Sequence, residues 1–221
     1  VDSEKTNELI IRDNSIYNLV DMDRSIDPSS WFQSGRIEAQ QIGGELATVT
    51  TRDEYMFLVD NFKSYTDRAI IGLHDSEEDL VYRWTSGEVV DIENLGSELD
   101  LDFSSTGDHG EDYIGMYFTG ASVGTLNDYG NGSGGMNNLP DSGIAETPII
   151  RRENSAYAIV EGPTWEQAEA NANKLGGHLV TINDAEENDW LYQNIVKDRN
   201  SPNAWIGFND IQNEGQWEWT S

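Results

Sequence analysis

The sequence predicts an α+β fold, laid down twice in tandem. Three observations carry that reading. A run of motifs recurs in order about 135 residues apart; helix-period segments with capping signals alternate with short strand-like runs; and a long polar stretch separates strands within the first copy. The repeat is plainest where Arg12-Asp13-Asn14-Ser15-Ile16-Tyr17 meets Arg152-Glu153-Asn154-Ser155-Ala156-Tyr157, 140 residues later. Trp31 then matches Trp165, Gly43-Gly44 matches Gly176-Gly177, Ile71-Gly72-Leu73 matches Ile206-Gly207-Phe208, and Trp84-Thr85-Ser86 matches Trp219-Thr220-Ser221, at spacings of 133 to 135. Small drift of that kind is what loop insertions between two copies of one unit produce. The first copy is expected over residues 10–147 as a complete domain, and the second over 148–221 as the N-terminal half of another.

Each copy opens on an alternating strand, Ile16 to Val20 or Ala156 to Val160. A helix follows, announced by Ser30 with Gln33 or Thr164 with Gln167, the Ser/Thr-x-x-Gln pattern that occupies first-turn amides. Trp165, Ala168, Ala172 and Leu175 share one helical face, and Gly176 supplies a left-handed stop. Leu46 to Val49 and Leu179 to Ile182 read as short strands. A second helix starts after Thr51-x-x-Glu54, with Tyr55, Leu58, Val59 and Phe62 on its apolar face. Strands are then expected at Ala69 to Leu73, Val81 to Thr85, Tyr113 to Phe118 and Ile144 to Thr147. Between them Gly87 to Asp112 reads as one long polar loop, a length that in a compact domain signals function or ion ordering.

Composition narrows the chemistry. Forty-one acidic against 13 basic side chains give a formal charge of −28, which disfavours nucleic-acid phosphates and anionic lipid headgroups and favours cations. The absence of cysteine excludes disulfides, zinc-thiolate sites and cysteine catalysis. No apolar run approaches the ~18 residues of a membrane span. Seven tryptophans supply core material: Trp165 and Trp205 lie on expected core faces, and Trp84, Trp217 and Trp219 alternate along strands. His74, His109 and His178 are too dispersed for a zinc site and read as surface residues. No nucleophile, base and orienting acid stand together, so the chain is not expected to be an enzyme.

The motifs Thr164-Trp165-Glu166-Gln167-Ala168, Gly176-Gly177-His178-Leu179-Val180-Thr181-Ile182, Trp205-Ile206-Gly207-Phe208-Asn209-Asp210 and Gly215-Gln216-Trp217-Glu218-Trp219 resemble the first half of a C-type lectin-like domain. The form is the cysteine-free one found in bacterial surface proteins. The first copy follows the same order more loosely and continues to Gly143-Ile144-Ala145-Glu146, which is similar to the family's closing strand. The resemblance implies two helices, short antiparallel sheets and a long loop ordered by Ca2+. In the first copy it points to Asp75 and Asp79 as metal ligands, with Glu111 and Asp112 before the next strand and Asp108 joining them. The second copy offers a half-site, Asp210 and Glu214. Calcium takes six to eight oxygens, so converging carboxylates suit it. Asp75 to Asp79 also reads as a solvated acidic turn.

The family's sugar-binding tripeptide, Glu-Pro-Asn or Gln-Pro-Asp, is missing where Phe103-Ser104-Ser105 stands. The Trp-Asn-Asp-like triplet has two counterparts, Leu126-Asn127-Asp128 and Met136-Asn137-Asn138. Asn127, Asp128 and the neighbouring Tyr129 are therefore the candidate ligand-binding residues, with Tyr113 a second ring near the loop. Asp100, Asp102, Ser104, Thr106, Asp108 and Glu111 also match an EF-hand-like ligand spacing, but Ser105 replaces the turn glycine and no helix pair flanks it. The expected function is an extracellular or cell-surface calcium-binding adhesion module that recognises carbohydrate or another surface ligand. The alternative is a structural repeat subunit that contacts neighbouring copies of the chain and binds no sugar. Exposed Trp217 and Trp219 on an uncovered sheet would mark the second copy as needing strands from elsewhere.

Overall fold

A computed structural model describes residues 9–78, 80–99, 111–123, 125–130, 139–199 and 203–220. Backbone proximity divides the chain into two compact units, one of residues 10–40 with 44–149 and one built mainly of residues 150–221.

The first unit starts with a hairpin the sequence reading did not anticipate. β1 (Ile10–Arg12) pairs antiparallel with β2 (Ser15–Asp21). The turn is Asp13-Asn14, and Asp13 has φ 51, the left-handed conformation that a two-residue hairpin demands and Asp tolerates. β2 then runs antiparallel to β8 (Ser142–Pro148) along its whole length, from Ser15 opposite Pro148 to Asp21 opposite Ser142.

Helix α1 (Pro28–Gln41) begins two residues before the expected cap. The Ser30 N–H donates to Asp27 Oδ1 at 3.1 Å, so Asp27 caps the helix. Pro28 fills the first helical position, where its missing N–H costs nothing. Helix α2 (Arg52–Phe62) starts as expected, its Thr51 Oγ1 accepting the Glu54 N–H at 3.3 Å. Its buried face is Tyr55, Leu58, Val59 and Phe62.

The sheet is ordered β1-β2-β8-β4-β6-β7, with β4 at Arg68–His74, β6 at Glu111–Tyr117 and β7 at Leu126–Gly130. Pairings are antiparallel except at Ile70 opposite Gly143, where β4 meets β8 in parallel. The two-residue strands β3 (Glu45–Leu46) and β5 (Arg83–Trp84) add to β8 and β4. β4 is buried on both faces from Ala69 to His74, as a central strand covered on each side must be. On one face Phe32 of α1 stacks on Tyr113 with ring centroids 4.3 Å apart. On the other, Ile71, Leu73, Ile114 and Met116 share a core with Leu58 and Phe62 of α2. Each such side chain taken fully from water contributes about 1.5–3 kcal/mol.

Two expectations are corrected here. The stretch Gly87 to Asp112 is not wholly loop, because helix α3 (Ile92–Leu99) forms within it and buries Leu95 and Leu99 in the same core. Apolar residues at i and i+4 anchor it, a signal that the surrounding acids and glycines obscured. His74 is not a surface residue: it is 8% exposed, and its imidazole is held below its usual pKa by burial.

The second unit repeats the beginning of the first. β9 (Ile150–Arg152) and β10 (Ser155–Tyr157) form a hairpin whose turn residue Glu153 has φ 53, as Asp13 does. Thr164 Oγ1 accepts the Gln167 N–H at 3.3 Å and caps helix α4 (Trp165–Lys174) as expected. Gly176 takes φ +77 at its end. Asp184 Oδ1 accepts the Glu187 N–H at 2.8 Å and caps α5 (Ala185–Leu191), which passes into a π-helical turn at Tyr192–Val196. β11 (Phe208–Asn209) and β12 (Glu218–Trp219) close the unit. The strand expected at Leu179 to Ile182 is absent. Its counterpart β3 is a strand because it pairs with β8 at Glu146 and Ala145, and the described residues of the second unit hold no equivalent of β8.

Candidate functional site

The site is built at the end of β4. After His74 the chain turns through Asp75, whose N–H donates to the Asp112 carbonyl at 3.0 Å and ties the turn to the start of β6. Asp75 is 5% exposed, and its Oδ2 accepts the Leu80 N–H at 2.9 Å. Leu80 has φ 65, a left-handed conformation that suits glycine better than a branched side chain. The second unit has the same device with the better residue: Gly215 at φ +81 donates its N–H to Asp210 Oδ2 at 2.9 Å.

The structure thus brings Asp75 and Asp112 together through the backbone, and Glu111 lies beside them, paired opposite Gly130 of β7. Asp79 and Asp108 lie outside the described residues, as do Asp100 to Thr106 of the EF-hand-like spacing. Among the described residues, no group of three or more His, Asp or Glu stands close enough to hold a metal ion. Asp210 serves its own turn, and Glu214 is exposed in the same bend.

The expected ligand-binding trio falls in β7, not in a loop. Asn127 is half-buried and opposite Gly115, with its side-chain amide donating to the Asp128 carbonyl. Asp128 and Tyr129 are corrected to core positions, at 2% and 4% exposed. Gly115 has no side chain because the Tyr129 ring lies over it, only 2.8 Å from where a Cβ would stand, and the Arg68 guanidinium covers the ring at 5.8 Å. Burial, with Tyr117 beside it, pushes the Tyr129 phenol far above its ordinary pKa. Tyr113 is enclosed between Trp31 and Phe32, and the Trp31 indole N–H donates to the Pro140 carbonyl at 3.0 Å. Neither tyrosine offers a face to a sugar.

A polar cluster that sequence reasoning missed sits on the other side of the unit. The Tyr17 hydroxyl lies 2.9 Å from Glu54 Oε1 and 3.1 Å from Glu146 Oε1. Ser15 Oγ donates to Glu146 Oε1 at 2.8 Å, and the Thr50 N–H donates to Glu54 Oε2 at 3.1 Å. Burial raises the Glu54 carboxyl above its usual range, with the Glu146 charge adding to the rise. The second unit holds half of this cluster: Tyr157 donates to Glu187 Oε1 at 3.1 Å, and the Asn183 N–H to Glu187 Oε2 at 2.9 Å. There the carboxyl of Glu187 is lowered instead, chiefly by the Asn183 N–H. The signal was present in the matched pair Tyr17 and Tyr157.

The repeat extends to the backbone. Gly72 donates to the Ala47 carbonyl at 2.9 Å and accepts from the Thr85 N–H at 2.8 Å; Gly207 donates to the Val180 carbonyl at 2.9 Å and accepts from Thr220 at 3.0 Å. A Cβ on either glycine would stand 2.6 Å from a carbonyl oxygen, that of Leu46 or of Leu179.

Part of the chain is similar to known proteins. The family model described as "Lectin C-type domain" matches residues 161–221. A perlucin-like protein of Mytilus galloprovincialis is 34% identical over 71 residues, 32% of this chain and 46% of the relative. The type-2 ice-structuring protein of Brachyopsis segaliensis is 38% identical over 64 residues, 29% of this chain and 35% of the relative. The chain therefore spans less than half of the length of these curated relatives. Among solved structures, human lithostathine is similar with a TM-score of 0.46 and 14% identity, covering 67% of this chain and 91% of that one. The cow CD23 carbohydrate-recognition domain has a TM-score of 0.45 and 16% identity, covering 63% and 92%. Residues 161–221 thus match the model of the lectin C-type domain, within a chain of α+β fold.

Proposed function

We propose that the chain is a C-type lectin-like binding module, extracellular or at the cell surface, made of two tandem copies of one unit over 10–147 and 148–221. In the first copy it binds Ca2+ and recognises carbohydrate or another surface ligand. The observation that carries the calcium reading is the hydrogen bond from Asp75 to Asp112, which holds two acidic segments distant in sequence at one end of β4. Their donors are all oxygen, the chemistry that suits a hard divalent cation. Asp75 and Asp112 would each contribute a ligand, with Asp79, Asp108 and Glu111 needed to complete the sphere, and the ion would neutralise mutual repulsion among carboxylates. Of the ligand trio, half-buried Asn127 is the residue left within reach of a ligand.

Thermal unfolding with calcium and with chelator tests this. Calcium raises the melting temperature by mass action on the folded state, and Asp75→Asn with Asp112→Asn removes the rise. A melting temperature indifferent to chelator, with no heat of binding in titration, overturns the site. A glycan array run under both conditions tests the ligand. The alternative is a structural subunit that contacts neighbouring copies of the chain, and assembly without glycan binding would select it. Among the described residues no helix is long and apolar enough to cross a membrane.

A further inference from the structure

Three elements of the first unit meet at one phenol. Tyr17 of β2 is 3% exposed, and its hydroxyl lies between Glu54, in the first turn of α2, and Glu146 of β8. Both carboxyl groups are half-buried, so protons reach them from solvent. A phenol carries one hydrogen and donates it to one carboxylate only. With both carboxylates ionised, at 2.9 and 3.1 Å, one of them would face the lone pairs of the phenol oxygen. The arrangement is satisfied when one carboxyl group keeps a proton: it donates to the phenol, and the phenol donates to the other.

The surrounding donors decide where that proton sits. Glu146 takes Ser15 Oγ at 2.8 Å on the oxygen that meets Tyr17, and the Thr48 N–H at 3.3 Å on the other. Among the described residues, Glu54 takes the Thr50 N–H at 3.1 Å besides Tyr17. Hydrogen bonds to a carboxylate stabilise its charge, so the better-supplied Glu146 carries the charge and Glu54 the proton. Neighbouring elements bring further charges. On β1, Arg12 donates to the Asp53 carbonyl at 2.9 Å, lies 5.7 Å from the Phe57 ring and favours an ionised Glu54; Asp13 beside it is exposed. On β3, Glu45 stands opposite Glu146 and pairs with Arg36 at 3.0 Å. On α2, Asp53 is exposed and Arg52 donates to the Leu99 carbonyl at 2.9 Å. Arg12 is thus the cation that Glu54 meets when it ionises.

We propose that Tyr17, Glu54 and Glu146 share one added proton and work as a pH-operated latch between helix α2 and the β2–β8 pair. With the proton on Glu54, hydrogen bonds run from Glu54 to Tyr17 to Glu146 and fasten the first turn of α2 to both strands. As pH rises, hydroxide takes the proton from Glu54, the phenol gives its hydrogen to Glu146, and the charged Glu54 turns to Arg12. The turn at 48–50 and the start of α2 are released, while the ladder of β2 and β8 holds. The latch is independent of calcium and of glycan binding.

Carboxyl-carbon NMR of the 221-residue chain tests this, titrated between about pH 5 and 9 with chelator present so that no cation stands in for the proton. Glu54 should show a titration step inside this range, and Glu146 should respond in the same step, because the two titrate as a pair. Glu187, which accepts from Tyr157 and Asn183, should show none. Above the step, amide exchange at Thr50 and Glu54 should quicken by about tenfold or more, with β2 and β8 unchanged. Glu146→Gln leaves the phenol hydrogen to Glu54 and should move the Glu54 step below the range, removing the pH response at Thr50. A step that stays in place in this variant would assign it to burial alone and overturn the proposal. So would a Glu54 silent across the range, a Glu146 carbon that ignores the Glu54 step, or exchange that quickens across the whole first unit. The joint step is read in the unaltered chain, so it decides the matter even where the variant fails to fold.

Discussion

Glu54 and Glu146 share a single hydroxyl, that of Tyr17, at 2.9 and 3.1 Å. One proton cannot serve two ionised carboxylates equally, and burial already pushes the Glu54 pKa up from 4.5. A carboxyl with a raised folded-state pKa binds more protons folded than unfolded, so stability falls as pH rises from about that ordinary value through the raised one. Glu54→Gln should flatten this part of the stability profile while leaving the rest unchanged. Urea midpoints of both proteins between about pH 4 and 8 decide it, and parallel profiles would refute the assignment.

Gly72 and Gly207 should tolerate no side chain. Gly72→Ala would set a methyl 2.6 Å from the Leu46 oxygen and 3.0 Å from Thr85 Oγ1, and backbone cannot yield as a flexible side chain can. The expected loss is about 2–4 kcal/mol, read from chemical denaturation. Gly207→Ala, facing Leu179 and Thr220 in the same way, should produce a comparable loss in the second unit.

Leu80 offers the opposite case. Its left-handed backbone costs about 1–2 kcal/mol relative to glycine, and the side chain is more than half exposed, so little burial is at stake. Leu80→Gly should stabilise the first unit by about 0.5–1 kcal/mol once the added entropy of the unfolded glycine is deducted. A lower melting temperature in that variant would show that the side chain packs to greater effect than its exposure suggests.

Asn127 and Asp128 should separate in mutagenesis. Asp128→Ala removes a buried polar group and should cost about 1–3 kcal/mol in the stability of the first unit. Asn127→Ala should leave the melting temperature nearly unchanged and is the variant in which loss of ligand binding is informative. Equal destabilisation by both would place Asn127 in the core as well.

The α+β class, both α2 and α4 with their caps, and strands β4, β6 and β8 were legible because each rests on local signals: apolar period, capping side chains and glycine at a left-handed stop. What escaped was set by partners far along the chain. Leu46 joins a strand and Leu179 does not, although their surroundings match, because the first lies against Ala145 and the second has no such neighbour among the described residues. Trp205 and Trp217 sit at core positions in the pattern yet are exposed for the same reason. Helix α3 was hidden by the acidity of its flanks. At the candidate site the residue types were visible, but the burial of Asp128 and Tyr129 depended on β7 pairing with β6, which no local feature announced.

The pairing of Ser15 with Pro148 also has a mechanical meaning. Chain enters and leaves the first unit at neighbouring points of one antiparallel ribbon, and the Ile149 N–H donates to the Asn14 carbonyl beside it. Tension along the polypeptide would peel the short β1 away and then pull β2 and β8 apart from that end, loading their hydrogen bonds one after another and not all together. Such a ribbon unzips at low force.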